Sequence, residues 1–276
     1  MPGTADRPFG ADPVEAIPLD PPPLARVLAQ VRFSPVLGVA DERMAGLVQQ
    51  RLREYYPLVS GEVEVSIPIQ LGPGLVPAPT PTRIWRYQNE DESWRVSLAS
   101  NFVALESAAY PGHEIFFDRL EYVLRAVGDV VEPSQVERTG VRYVQRLAEP
   151  DDLERIAEFV RPEIVGVCSI ANADANLTLC LTQTQASVMD VQLSARWGLL
   201  PPDTAIDPVI TPIGGASWIM DIDVFDERRE PFDPASLAQR ALSHSRHQYR
   251  FFRWAIEPAF LLRFGADPAL VAALQG

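Results

Sequence analysis

No lysine occurs in this chain of 276 residues, so all 24 basic side chains are arginine. The absence excludes Schiff-base chemistry, a lysine general base and the phosphate-gripping lysine of a P-loop. A GC-rich genome, which spells its basic residues as arginine, accounts for it. Cysteine is almost missing as well. Cys168 and Cys180 sit at no metal-ligand spacing among apolar neighbours, and read as two reduced thiols of a reducing compartment. Three histidines offer no Ser-His-Asp order. The first twenty residues lack the apolar run of a signal peptide, and no stretch reaches the length of a membrane span, so the sequence reads as cytoplasmic. A formal net charge of −13 and a pI near 4.7 weigh against a broad phosphate-binding surface.

What is present is a run of strands and helices behind a proline-rich start. Residues 1–23 are rich in Pro, Ala and Asp and end in Pro21-Pro22-Pro23, which predicts a disordered tail with order beginning at Leu24. From there Val27, Ala29, Val31 and Phe33 alternate with Arg26, Gln30 and Arg32, the period of a strand over 24–34 with one apolar face. Asp41 caps a helix running to Tyr56, and strands follow over 62–71, 83–89 and 94–107. The segment 72–82 between the first two is too rich in proline to pair and reads as a projecting loop. A helix over 111–127 closes the set.

The same order then returns. A strand over 136–147, a helix from Pro150, strands over 173–183, 188–197 and 217–225, and a helix from Pro234 capped by Asp233 repeat the pattern. Gln30-Val31-Arg32-Phe33 aligns with Gly140-Val141-Arg142-Tyr143, and Trp94 aligns with Trp218. We therefore expect an α+β fold in which a βαβββα unit is duplicated, over 24–130 and 131–276. Together the two copies would form one curved, mainly antiparallel sheet with four main helices on one face and would fold as a single cooperative unit. The 198–216 segment carries four prolines and has no counterpart in the first copy, which marks it as a functional lid or a disordered loop.

Arg138, Arg142 and Arg146 share a face of their strand because side chains repeat with period two. With Arg32 they form a stripe suited to a carboxylate, a phosphate or an acidic peptide, unless Asp190, Asp221 and Asp223 neutralise it across strands. Asp221 and Asp223 also place two carboxylates on one face. With His244 they make a candidate metal site, while the competing reading is a solvated pair beside helix-face histidines. His113 reads as a turn residue, and Trp85, Tyr87, Trp94, Trp197 and Trp218 read as core. No catalytic residue and no cofactor motif emerges, and Gly214-Gly215 lacks the strand-to-helix setting of a phosphate loop.

The chain resembles a sporadically distributed bacterial protein family of unknown function. The resemblance rests on Pro22-Pro23-Leu24, Val31-Arg32-Phe33, Tyr56-Pro57, Tyr110-Pro111, Arg138-Thr-Gly-Val-Arg-Tyr143, Trp218 with Asp221-Ile222-Asp223, and His244 followed by Phe252, and covers 21–265. It implies an intracellular accessory protein and carries no catalytic residues with it. The leading expectation is a non-enzymatic binding protein of an accessory or defence-type locus, acting through a protein or peptide partner. A small-ligand binder or enzyme with its pocket under the 198–216 loop is the alternative, and nucleic-acid binding through a local arginine saddle is the second.

Overall fold

The computed structural model describes residues 7–10, 14–66, 80–170, 177–204 and 211–274. Helix and strand take nearly equal shares, 36% and 35%, which makes the class mixed, with one open, mainly antiparallel sheet. The element order is β1 (Leu24–Phe33), α1 (Glu42–Leu52), β2 (Leu58–Ser66), β3 (Thr80–Gln88), β4 (Trp94–Ala99), β5 (Phe102–Ser107) and α2 (His113–Val131). It continues with β6 (Gln135–Leu147), three short helices α3 (Pro150–Glu154), α4 (Ile156–Phe159) and α5 (Pro162–Val165), and β7 (Cys180–Val188), β8 (Val191–Leu200) and β9 (Ser217–Asp226). The last elements are β10 (Glu230–Pro231), α6 (Pro234–Ala255), α7 (Pro258–Arg263) and α8 (Pro268–Ala273). Strands hydrogen-bond in the order β2-β3-β4-β5-β1-β6-β9-β8-β7, with β10 on β6. The chain divides into two compact units: Leu28–Thr139 with Glu227–Ala241, and Met1–Val27 with Gly140–Asp226 and Leu242–Gly276.

In the unit that holds Leu28–Thr139, the alternation read from the first strand is what the structure uses: Val31 and Phe33 are buried while Arg32 is exposed. Asp41 caps α1 as its side chain predicts, accepting from the Arg43 N–H at 2.7 Å. The helix ends at Leu52, a turn before Tyr56, whose ring is buried in the core. Trp85 and Tyr87 enter the core under α1 with their polar tips satisfied: the indole N–H donates to the Val39 carbonyl and the phenol to the Ala45 carbonyl. Trp94 stacks on Phe116 of α2. The predicted strand 94–107 is instead a hairpin, β4 and β5, turning at Ser100–Asn101 with Ala99 opposite Phe102. Two small polar residues favour a tight turn over continued extension, and the apolar alternation on either side hides the break.

In the other unit, the apolar faces of β8 and β9 carry Trp197, Trp218, Met220 and Ile222 into the core. The Trp197 indole donates to the Ile164 carbonyl of α5, and its ring lies 6.1 Å from Phe251 of α6. The helix expected from Pro150 is broken into α3, α4 and α5, because Pro162 cannot continue a helix and Val160 turns extended to bridge Ile256. Order also begins before Leu24. Ile17 is buried with its N–H on the Tyr249 hydroxyl, Phe9 meets Phe251, and the Asp20 N–H donates to the Phe264 carbonyl. Gly265 makes that last contact possible: at φ +79° any side chain there would stand 2.5 Å from the Asp20 oxygen. The described part of the start is thus a packed strap. Apolar Phe9 and Ile17 hold it down, a signal outweighed in the sequence by the surrounding proline and aspartate.

The duplication meets one disagreement. Trp94 opens β4, two places from β1 in the strand order, whereas Trp218 lies on β9, the neighbour of β6. These tryptophans do not hold equivalent places. Of the segments singled out in the sequence, 67–79, 171–176 and 205–210 lie outside the described residues.

Candidate functional site

Antiparallel pairing of β8 with β9 sets Arg196 directly opposite Asp221, and β6 is the next strand on the other side. Asp221 is 4% exposed and accepts from both neighbours. Arg142 grips it with two donors, Nε to Oδ1 at 2.7 Å and Nη2 to Oδ2 at 2.8 Å, and Arg196 adds Nε to Oδ2 at 2.6 Å. The fork-to-carboxylate geometry is the strong form of the charged hydrogen bond. Arg142 and Arg196 are themselves only 15% and 22% exposed. The predicted stripe is therefore used internally at its centre, by the aspartate that the sequence placed as its possible neutraliser. Asp223, opposite Ser194, is half-buried on the same side of β9, and Asp190 lies in the turn between β7 and β8.

The remaining members of the stripe separate. Arg146 donates from Nη1 to the Thr211 carbonyl at 2.6 Å, bringing part of the 198–216 loop to β6, and burial holds its guanidinium below the ordinary arginine range. Val144, Leu200 and Ile219 are packed together, with Ala25 against them. Arg138 and Arg32 belong to the other unit, where Arg32 is exposed, and both turn toward Gln30 Oε1, at 3.5 and 3.1 Å. That unit's polar face also carries Arg86 on Glu62 and Ser97, and Arg95 on Glu106.

The three residues of the conceivable metal site do not converge. Asp221 sits in the arginine clamp, while His244 faces Asp226 with Nε2 2.9 Å from Oδ2, both side chains 3% exposed. Asp226 is five residues along β9 from Asp221, on the opposite face by strand alternation. Among the described residues no group of three or more His, Cys, Asp or Glu gathers where it could hold a metal. The buried His244–Asp226 pair was not foreseen; its only trace in the sequence is an acidic residue closing an otherwise apolar strand face. His247 is held below its ordinary value of 6.5, first by burial and then by His244 and Arg250, against the pull of Asp190. Cys168 and Cys180 come together with their thiols hydrogen-bonded, and burial first, then this neighbour, pushes Cys168 up to about 11.

The stretch in which α1 runs into β2 exposes several apolar side chains. Leu47, Tyr55, Leu58, Val59 and Val63 are all exposed. Gln49, Gln50, Arg53 and Pro57 line an open depression of about 330 Å³ there. Tyr55 is fixed from behind, its ring edge-on to Tyr122 at 5.2 Å and under the Arg119 guanidinium at 4.7 Å. Compared with protein-family models and with curated proteins, the chain matches none. No described helix is long and apolar enough to cross a membrane.

Proposed function

We propose that this chain is a non-enzymatic binding protein, cytoplasmic and bacterial, that serves an accessory or defence-type locus through a protein or peptide partner. The observation that carries the reading is the exposed ring of Tyr55, held by Tyr122 and Arg119, with exposed Leu58 at the start of β2 and the depression lined by Gln49, Gln50, Arg53 and Pro57. Rigid apolar area with one arginine at its rim suits a partner segment that brings apolar side chains and a carboxylate. Arg142 and Arg196 spend their forks on Asp221, so that stretch of the stripe is structural and the partner reading rests on the segment between α1 and β2 instead. The duplicated βαβββα unit belongs to this proposal too. It is supported by the parallel placing of β1 beside β5 and β6 beside β9, each the last long strand before a long helix.

The test is site-specific photo-crosslinking in the native host. A photoreactive residue at Leu58 or Arg53 should capture one discrete protein that a photoreactive residue at exposed Leu270 does not. Tyr55→Ala with Leu58→Ser should abolish that capture while leaving the unfolding midpoint within a few degrees of wild type. The same bands from Leu58 and Leu270, or none from either, would overturn the reading.

A further inference from the structure

The two ends of the strand order differ in a way that bears on self-association. β2, at one end, carries Glu62 and Gly61, a charge and a weak point of the kind that keep an edge strand from pairing with strangers. β7, at the other end, reads Cys-Leu-Thr-Gln-Thr-Gln-Ala-Ser-Val: nine residues with no charge, no proline and no glycine. The two-residue turn Met189–Asp190 joins it to β8 and makes Val188 and Val191 a hydrogen-bonded pair. Backbone direction alternates along a strand, so Leu181, Gln183, Gln185 and Ser187 aim their N–H and C=O groups away from β8. All four are exposed.

We propose that β7 pairs antiparallel with β7 of a second copy, centred on Thr184, to make a two-fold dimer. The sequence of the strand is complementary to itself in that register. Gln183 of one copy falls opposite Gln185 of the other, so their amides form a ladder, and Leu181 falls opposite Ser187. Just beyond, Leu179 meets Met189 of the second copy at both ends. These two are exposed by 53% and 74% in the single chain, and the pairing gives each an apolar neighbour. Charge points to the same occupant. Two chains of net charge −13 repel, and the run from Leu177 to Met189 is uncharged, so the approach is least opposed there. This surface shares no residue with the one proposed for the heterologous partner, so either assignment stands without the other.

Sedimentation velocity on the full chain, over a range of protein concentration at physiological salt, tests it. Wild type should move from monomer to dimer as concentration rises. Gln183→Pro should be monomeric throughout with an unchanged unfolding midpoint, because that N–H takes no part in the β7–β8 ladder. Gln183→Glu with Gln185→Glu puts like charges opposite each other in both central pairs and should also be monomeric. Gln183→Glu with Gln185→Arg puts opposite charges there and should restore the dimer, more strongly at low salt. Wild type that stays monomeric, a dimer that survives Gln183→Pro or the double glutamate, or failure of the Glu/Arg pair to restore it would each overturn the proposal.

Discussion

Arg32 and Arg142 stand at the same place in two similar stretches of sequence, Val-Arg-Phe and Val-Arg-Tyr, and they live differently. Arg32 is exposed and turns its Nε to Gln30 two residues back on its own strand. Arg142 is 15% exposed and holds a buried carboxylate on the neighbouring strand, 79 residues further along the chain. The contrast teaches that strand alternation decides the face on which a side chain emerges and says nothing of what waits there. Partnering is fixed by register, and only the pairing of β8 with β9 brings Arg196 and Asp221 into line with Arg142.

The largest effect should come from removing the shared partner. Asp221→Ala takes from two mostly buried arginines the carboxylate that holds them both, so repulsion adds to lost hydrogen bonds. We expect a loss of about 2–4 kcal/mol in urea unfolding, at the lower side of the range for a broken buried pair because both guanidinium groups keep some contact with water. An unchanged midpoint would show the clamp to be energetically idle and remove the distinction from Arg32.

Arg142→Ala should cost less, about 1.5–3 kcal/mol, since Arg196 remains on Oδ2 and keeps one of the three hydrogen bonds described above. Combining it with Arg196→Ala sharpens the point. The double variant should depart from the sum of the two single losses, because both donors serve one acceptor. Strict additivity would mean that the arginines act independently.

His247, on α6, makes stability depend on pH. His247 is held below 6.5 in the fold, mainly by burial, so the unfolded chain binds the proton more readily. Stability is therefore fully present above the unfolded value and falls as pH drops through it toward the lower folded value. His247→Gln should flatten that part of the stability profile, measured by thermal unfolding between neutral and mildly acidic pH. A profile of the same slope in the variant would move the dependence to other groups.

Much of the frame was legible in the sequence because its signals are local. Period-two alternation placed β1, β6 and β9, Asp41 and Asp233 marked helix starts, and Pro258 marked a stop. What failed was non-local or masked by composition. The Ser100–Asn101 turn is hidden inside continuous alternation, and the strap at Phe9 and Ile17 is hidden among prolines. Of the candidate residues, Arg142 and Asp221 were seen to meet in one of two competing readings, yet Arg196 was never singled out: its partner lies across a loop of sixteen residues that no periodicity spans. The surface at Tyr55 and Leu58 escaped because exposed apolar residues cannot be told from core by pattern alone.

The smallest effect is the control on which the comparison rests. Arg32→Ala removes an exposed guanidinium, and contacts made at the surface in high dielectric rarely contribute more than about 1 kcal/mol. Its unfolding midpoint should therefore lie close to wild type, well above that of Arg142→Ala, and adding salt should shrink even the small difference. If Arg32→Ala were as damaging as Arg142→Ala, the two positions would be energetic equals despite their different surroundings. The lesson drawn from register would then have to give way to one drawn from the shared Val-Arg-aromatic sequence.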